Sequence, residues 1–141
     1  MTDLTAEEVM RLTVKVSSPK VVGKTNRGFL QVIPIIGGDF TGENIKGKVV
    51  PGGADWNTTL DEGMAHVFAK YLLETDDGEF IAIENEGYLN SNFNSVIKTT
   101  PKFQANLTGK YGDLNFGTYA GELKATPNAT DSVDIVIYRL K

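Results

Sequence analysis

Apolar and polar residues alternate with a period of two along much of this chain. In residues 10–16, for example, Leu12, Val14 and Val16 share one face, and charged or polar residues occupy the other. This period is typical of a half-buried β-strand, because successive side chains of a strand point to opposite sides of the sheet. The same reasoning predicts eight strands, over residues 10–16, 28–36, 44–50, 64–74, 79–89, 96–105, 111–126 and 133–140.

Helix signals are scarce by comparison. Residues 5–11 could alternatively form a short helix, since Thr5 is a possible N-cap and Glu8 follows three residues later. Pro34 interrupts the second strand, which we expect to bend or to lie at an edge there. The last turn is predicted at residues 127–131. The pattern as a whole predicts an all-β chain.

A closed sheet accommodates these strands best. An open antiparallel sheet exposes two unpaired edges, whereas a barrel leaves none. At 141 residues the chain is long enough for one domain with its own core. We therefore expect a single domain over residues 1–141, folded as an antiparallel up-and-down β-barrel of about eight strands. Its topology would be calycin-like or outer-membrane-barrel-like, but the protein would be soluble.

A tight hairpin joins the predicted strands 64–74 and 79–89. The loop Thr75-Asp76-Asp77-Gly78 has glycine where a type I turn followed by a bulge requires the left-handed conformation, and the two aspartates are typical turn formers. Placing Thr75 opposite Glu79 sets the register of the whole hairpin. This register predicts cross-strand pairs that include Leu73 with Ile81, Tyr71 with Ile83, Lys70 with Glu84 and His66 with Tyr88.

The two faces of this hairpin differ in composition. One is apolar and consists of Val67, Tyr71, Leu73, Ile81 and Ile83; the other mixes Phe68, Leu72, Phe80 and Ala82 with His66, Lys70, Glu84 and Glu86. Apolar walls with a few charged groups are typical of a ligand cavity, so the mixed face is predicted inside the barrel. The apolar face would then point outward and mediate a homo-oligomer. Alternatively, Lys70 and Glu84 form an ordinary surface ion pair worth less than about 1 kcal/mol.

A glycine-rich segment leads to the strongest candidate for chemistry. Six glycines fall within residues 37–56, which end on Asp55 and the only tryptophan, Trp56. A rigid turn can hold a carboxylate accurately, and an adjacent indole can exclude water and raise its pKa, so Asp55 is a candidate general base with Trp56 against the ligand. Alternatively, Asp55 accepts hydrogen bonds from its own turn and Trp56 fills the end of the core. The glycine pairs are interpreted as barrel bends or bulges.

Five further residues complete the candidate site. Lys70 and Glu84 are candidate catalytic groups, although a neighbouring Glu84 keeps Lys70 charged and opposes Schiff-base chemistry. His66 is the sole histidine, which excludes a multi-histidine metal site. Tyr111 and Asn115 could bind a ligand carbonyl, while a tyrosine anchored at a sheet corner is the alternative for Tyr111. A carboxylate-only cation site around Asp55, Glu84 and Glu86 is conceivable, but no calcium-binding loop motif exists, and we expect neither metal nor cofactor.

Composition narrows the range of partners. A net charge of −4 and a pI near 5.0 argue against nucleic acid. No apolar run approaches the roughly 20 residues of a membrane helix, and the acidic N-terminus does not resemble a signal peptide. The absence of cysteine excludes disulfides and thiol chemistry and is consistent with a reducing cytosol. We therefore expect a cytoplasmic protein whose partner is a small molecule, with neither nucleic acid nor membrane.

Several segments together carry a resemblance to a known family. They are Gly-Gly-Asp-Phe-Thr-Gly at 37–42, Pro-Gly-Gly-Ala-Asp-Trp at 51–56, Thr-Asp-Asp-Gly at 75–78 and Thr-Thr-Pro-Lys-Phe at 99–103. The chain resembles the bacterial domain of unknown function 3237 family, also called uncharacterised protein family 0311. This resemblance implies one antiparallel β-barrel of roughly this length, with activity and substrate unassigned. Lys70 stands where the family usually has arginine, so no bidentate guanidinium is available there.

These observations together favour a barrel that binds a small organic ligand in its interior. Cofactor-free acid–base chemistry of the lyase, isomerase or cyclase type is one use of the candidate residues. A carrier barrel without catalysis would use the same residues only to orient its ligand. A third possibility is an interaction module whose interior is filled by side chains. A cavity lined by ordered polar groups would favour the first two.

Overall fold

The computed structural model describes residues 3–61, 63–90, 96–125 and 131–141, and nine strands account for most of them. The strands are β1 (Ala6–Val16), β2 (Lys20–Thr25), β3 (Gly28–Thr41), β4 (Lys46–Asp61), β5 (Met64–Thr75), β6 (Phe80–Asn90), β7 (Ile97–Gln104), β8 (Tyr119–Ala125) and β9 (Ser132–Leu140). A short 3-10 helix, Gly112–Phe116, precedes β8. No helix in the described ranges is long and apolar enough to cross a membrane.

The sheet closes into an eight-stranded antiparallel barrel. Its strands are neighbours in the order β1-β9-β8-β7-β6-β5-β4-β3, and β3 pairs with β1 to complete the ring. β2 lies outside this ring and pairs with β3 over residues 28–32. The predicted all-β barrel is therefore confirmed. Hydrogen bonding between the first and last strands removes the edges that an open sheet would expose.

Three element predictions need correction. Residues 5–11 form no helix but belong to β1, because alternate side chains from Met10 onward enter the core. The predicted strand over residues 111–126 divides into the 3-10 helix and β8, where Gly112 and Gly117 interrupt the strand pattern. β2 was not predicted, since Gly23 breaks a run of only six residues. The predicted turn at 127–131 lies outside the described residues except for Asp131.

The glycine pairs bend β3 and β4, as predicted. Gly37, Gly38 and Gly52 have positive φ angles of 152°, 128° and 120°. The β3–β4 register shifts between Pro34 and Asp39. Gly53 serves close approach, because a Cβ added there would lie 2.5 Å from the Lys70 carbonyl oxygen.

The β5–β6 hairpin has the predicted register but the opposite orientation. Lys70 pairs with Glu84 and Tyr71 with Ile83, as the turn predicted. The apolar face, however, forms the core: Leu73, Ile81 and Ile83 are at most 1% exposed. Burying such side chains gains roughly 1.5–3 kcal/mol each, whereas burying a lysine–glutamate pair costs several kcal/mol per ion. The predicted inward orientation of Lys70 and Glu84 is therefore wrong.

The predicted self-association surface is wrong for the same reason. Its five residues, Val67, Tyr71, Leu73, Ile81 and Ile83, are all buried inside the barrel. They are not available to a second subunit in the folded protein. Homo-oligomerisation itself stays a prediction, without this face as its basis.

Candidate functional site

A cavity of about 50 Å³ lies inside the barrel, at the end opposite the β5–β6 turn. Most of its lining is aliphatic, and three polar residues interrupt it: Asp55, Tyr71 and Asn85. The aliphatic residues come from five strands and are Val14, Val16, Ile35, Val67, Ala69, Leu123, Val133 and Ile135. The interior is therefore a packed core with one polar site.

Strand register brings the three polar side chains together. Asp55 on β4 pairs with Ala69 on β5, and Ala69 pairs with Asn85 on β6. Paired residues direct their side chains to the same side of the sheet, so Asp55 and Asn85 flank the small Ala69. Tyr71 is two residues further along β5 and therefore shares their face. The methyl group of Ala69 leaves space between the larger polar groups.

Asp55 lies inside strand β4, so the prediction that it sits on a glycine turn is wrong, and one backbone contact from β5 holds its side chain. The Phe68 N–H donates a hydrogen bond to Asp55 Oδ1 at 3.2 Å. Burial raises the pKa of the Asp55 carboxyl, and the Phe68 hydrogen bond and the charge of His66 offset this effect only in part. A raised pKa brings a carboxyl closer to the range where it can both accept and return a proton. The structure places Asp55 at the cavity, while its role in function stays a prediction.

Three buried polar atoms lack hydrogen-bond partners among the described residues, and two of them belong to residues that line the Asp55 cavity. They are Tyr71 Oη, Asn85 Oδ1 and Thr99 Oγ1. Leaving such an atom unpaired costs about 1–3 kcal/mol, and nearly all buried polar groups in proteins are paired. Burial, and next the nearby Asp55 charge, raise the pKa of the Tyr71 hydroxyl, so it remains a protonated donor. This part of the barrel thus presents donors and acceptors that the described residues do not satisfy.

The sequence reasoning missed Tyr71, Asn85 and Thr99. Tyr71 was assigned to an outward apolar face, and the other two received no role. One signal was present: Asn85 shares a face with Ile81 and Ile83, where a polar residue interrupts an apolar series. A buried polar residue of this kind is more informative than an exposed charge.

The other β4–β6 candidates lie on the outer wall. Lys70 Nζ and Glu84 Oε1 are 3.1 Å apart, and their side chains are 56% and 37% exposed. They form the surface ion pair that was the alternative interpretation. Trp56 is 51% exposed, so it neither contacts the interior cavity nor fills the core. Its neighbours along β4 alternate between the two sides of the wall, which places Asp55 inside and Trp56 outside.

His66 forms its own cluster on the outer wall. Its Nε2 lies 2.7 Å from Glu86 Oε2, and its ring stacks on Tyr88 with centroids 4.5 Å apart. Asp55 is therefore separated by the barrel wall from Glu84 and Glu86, and the conceivable carboxylate cation site is not assembled. Within the described ranges, no group of three or more histidine, aspartate or glutamate side chains is placed to hold a metal ion.

Tyr111 and Asn115 serve the opposite end of the barrel. The Tyr111 hydroxyl donates to the Asp77 carboxylate at 3.0 Å, which anchors the 3-10 helix to the β5–β6 turn. Asn115 Oδ1 accepts from the Ala105 N–H at 2.9 Å, and its Nδ2 donates to the Ala105 carbonyl at 2.8 Å. These contacts favour the corner-anchor interpretation of Tyr111. Neither residue lines the Asp55 cavity.

A larger groove of about 540 Å³ runs beside the 3-10 helix. It brings Lys70, Glu84 and Asn115 together with Lys102 and Gln104. Lys70 and Glu84 neutralise each other there, and Asn115 is occupied by backbone contacts. The groove therefore offers volume without the unsatisfied buried groups that distinguish the Asp55 cavity.

The fold and this site define a class of protein: a closed antiparallel β-barrel with a polar site in an otherwise apolar interior. Residues 4–140 match the sequence profile of the family described as protein of unknown function (DUF3237). The chain belongs to this family, which confirms the resemblance recognised from its motifs.

Individual proteins with similar sequences or structures agree with the family assignment. A UPF0311 protein of Clostridium acetobutylicum is 35% identical over 116 residues, which cover 80% of this chain and 68% of that protein. A conserved protein of unknown function from Rhodopseudomonas palustris has the same fold in its crystal structure, with a TM-score of 0.89, 25% identity and full coverage of both chains.

An enzyme from Penicillium herquei shares the fold as well. Its crystal structure has a TM-score of 0.78 and covers all of this chain and 97% of the enzyme. Identity is 20%, so this similarity concerns the fold alone. A barrel of this shape is thus compatible with enzymatic activity in at least one protein, and fold by itself assigns no reaction.

Proposed function

We infer that this protein binds a small organic molecule whose polar end enters the Asp55 cavity. One observation carries the inference: a partly buried carboxyl lines the same cavity as a buried phenol and a buried amide that have unsatisfied hydrogen-bonding atoms. Natural proteins rarely retain such groups without a use, since replacing them by apolar residues would gain stability. Unpaired polar groups around a cavity are the usual signature of a ligand site.

The dimensions of the cavity indicate how a ligand would sit. A volume of about 50 Å³ exceeds the roughly 10–15 Å³ that one water molecule requires, but ligand pockets usually reach several hundred Å³. The polar end of a ligand would therefore enter first. Its apolar body would lie against Val16, Leu123 and Val133, which are half-buried.

Asp55 supplies acid–base chemistry without a cofactor. A carboxyl whose pKa is raised by burial is a better proton acceptor than a surface aspartate, and it can return the proton. Tyr71 adds a donor that can stabilise developing negative charge. Lyase, isomerase and cyclase reactions that proceed by proton transfer need no further group. A carrier barrel is the second candidate, because eight of the eleven lining residues are aliphatic and holding a ligand requires fewer polar groups than catalysis.

Binding can be tested with a panel of small cyclic ketones, alcohols and phenols, using two-dimensional NMR of the isotopically labelled protein. We expect binding compounds to shift the amides of Ala69, Tyr71 and Asn85. The Asp55→Asn and Tyr71→Phe variants should weaken these shifts. Asp39→Asn, at an exposed position on β3, is the matched control and should leave them unchanged.

Two results would contradict the proposal. Shifts confined to the Lys70–Glu84 groove would place binding outside the barrel. An absence of shifts for every member of the panel would favour a filled interior and an interaction module.

A further inference from the structure

The charge balance of the Asp55 cavity restricts its ligand. Among the described residues that line it, Asp55 is the only charged one, and eight of these eleven residues are aliphatic. An anionic ligand would meet the Asp55 carboxylate with no compensating cation in that lining. A cationic ligand would bring a second charge into an apolar cavity, at a desolvation cost of several kcal/mol. The cavity therefore suits a neutral ligand.

The polar groups of the cavity restrict the chemistry of the ligand further. The Tyr71 hydroxyl is a donor with no protein acceptor among the described residues, so it matches a ligand oxygen. The unpaired atom of Asn85 is Oδ1, an acceptor, so Asn85 is matched by a donor group on the ligand and not by a carbonyl oxygen. Asp55 stands on the other side of Ala69, where it faces the ligand beside that oxygen. A carbonyl oxygen that accepts from Tyr71 would lie in the same cavity as Asp55, with the adjacent carbon available to the Asp55 carboxylate.

Resting on the function proposed above, we propose that the substrate is a neutral ketone with an exchangeable hydrogen on the carbon next to its carbonyl group. Asp55 removes this hydrogen as a proton. Tyr71 donates a hydrogen bond to the carbonyl oxygen. The reaction class is enolisation, followed by return of the proton to the same carbon or to another one.

The step balances without a co-reactant. The C–H bond breaks and its proton moves to a carboxylate oxygen of Asp55. The electron pair forms a carbon–carbon double bond, while the carbonyl π electrons move to oxygen. The resulting enolate oxygen accepts a hydrogen bond from Tyr71. Asp55 then gives the proton back, so the enzyme regains its starting state. Return to the same carbon gives the substrate or its epimer, and return to another carbon gives a positional isomer.

Hydrogen exchange of cyclohexanone in deuterated buffer tests the proposal directly, with NMR as the readout of deuterium beside the carbonyl group. We expect the wild-type protein to accelerate exchange above the buffer rate. Asp55→Asn should remove about 10²-fold or more of the protein-dependent rate, the usual contribution of a general base. Tyr71→Phe should lower that rate at least about tenfold, since it removes a donor to the enolate oxygen.

Two matched variants control for the chemical change itself. Asp39→Asn alters an exposed aspartate and Tyr88→Phe alters a tyrosine that is 68% exposed, and both should exchange like the wild type. Circular dichroism shows whether each variant folds. Exchange that survives Asp55→Asn in a folded protein would overturn the assignment.

Binding measurements separate failure of this inference from failure of the proposed function. If cyclohexanone shifts the Ala69 and Asn85 amides but exchange stays at the buffer rate, enolisation is wrong and the barrel is a carrier. If cyclohexylammonium binds more tightly than cyclohexanone at the same amides, the neutral substrate class is wrong. If no small ligand shifts these amides, the proposed function falls as well.

Discussion

The two ends of the barrel contain the same three residue types in opposite states. At the cavity end, Asp55, Tyr71 and Asn85 are grouped around Ala69. At the other end, Asp77, Tyr111 and Asn115 connect the β5–β6 turn, the 3-10 helix and the end of β7. The first trio leaves polar atoms unpaired, while the second is joined by hydrogen bonds.

This comparison shows that the same three residue types have different roles at the two ends of the barrel. The carboxyl of Asp77 accepts from the hydroxyls of Thr75 and Tyr111, and the hydrogen bond from Thr75 is the main cause that lowers its pKa. Burial raises the pKa of Asp55 instead. A paired trio stabilises the fold, and an unpaired trio is available to a ligand. Matched substitutions at the two ends test this distinction.

The largest effect is expected from the two asparagines. Asn115→Leu should destabilise the protein by about 2–3 kcal/mol, because it leaves the Ala105 N–H and carbonyl without their partner. Asn85→Leu should be neutral or stabilising, because it removes an unsatisfied oxygen from an apolar surrounding. Urea unfolding of both variants measures the difference. Equal losses at the two ends would contradict the comparison.

For the two tyrosines we also expect a larger loss of stability at the Asp77 end than at the Asp55 cavity, but a smaller difference than for the asparagines. Tyr111→Phe removes hydrogen bonds to the Asp77 carboxylate and should cost about 1 kcal/mol, reduced by the partial exposure of Asp77. Tyr71→Phe should leave stability unchanged or raise it by up to about 1 kcal/mol. Thermal unfolding of the pair, with Tyr88→Phe as the exposed control, gives the result. A clear loss for Tyr71→Phe would mean that its hydroxyl is satisfied in the folded protein.

The two aspartates should respond to pH with opposite signs. The raised pKa of Asp55 means that its contribution is complete below the ordinary value of 3.8 and is lost as pH rises through the folded pKa. The lowered pKa of Asp77 means that its contribution is present above 3.8 and is lost as pH falls through the folded pKa. At neutral pH, Asp55→Asn should therefore be as stable as the wild type or more stable, and Asp77→Asn less stable.

Melting temperatures of these two variants between pH 3 and 7 provide the check. Both differences from the wild type should shrink towards the acid end, from opposite sides. If Asp55 only supports the wall through Phe68, its asparagine variant should instead lose about 1–3 kcal/mol at neutral pH. Such a loss would remove Asp55 from the list of functional groups.

The smallest effect is expected outside both trios. Lys70→Met breaks a surface ion pair and should change stability by less than about 0.5 kcal/mol, since exposed pairs contribute little. Ligand binding in the Asp55 cavity should be unaffected, because Lys70 lies outside the barrel. A Lys70→Met variant that loses binding would restore the groove beside the 3-10 helix as the site.

Local features of the sequence determined much of the fold. The period-two pattern predicted most strands, and the Thr75–Gly78 turn predicted every pair of the β5–β6 hairpin that it was used to assign. The irregularities at Gly37, Gly38 and Gly52 followed from glycine's access to positive φ, and the one at Gly53 from close backbone approach. These predictions succeeded because turns, register and strand period depend on residues close together in the chain.

Only the tertiary structure decided which side of the sheet faces inward, and hence which residues form the site. Period two separates the two faces of a strand without saying which one closes on the core. That choice depends on how much apolar surface all eight strands of the ring bury together. As a result, the side chains of four predicted site residues lie on the outer wall: Lys70, Glu84, His66 and Trp56. Asp55 alone, of the residues predicted from sequence, lies at the interior cavity. Tyr71 and Asn85 join it there because register across β4, β5 and β6 places them around Ala69, a relation that no local pattern contains.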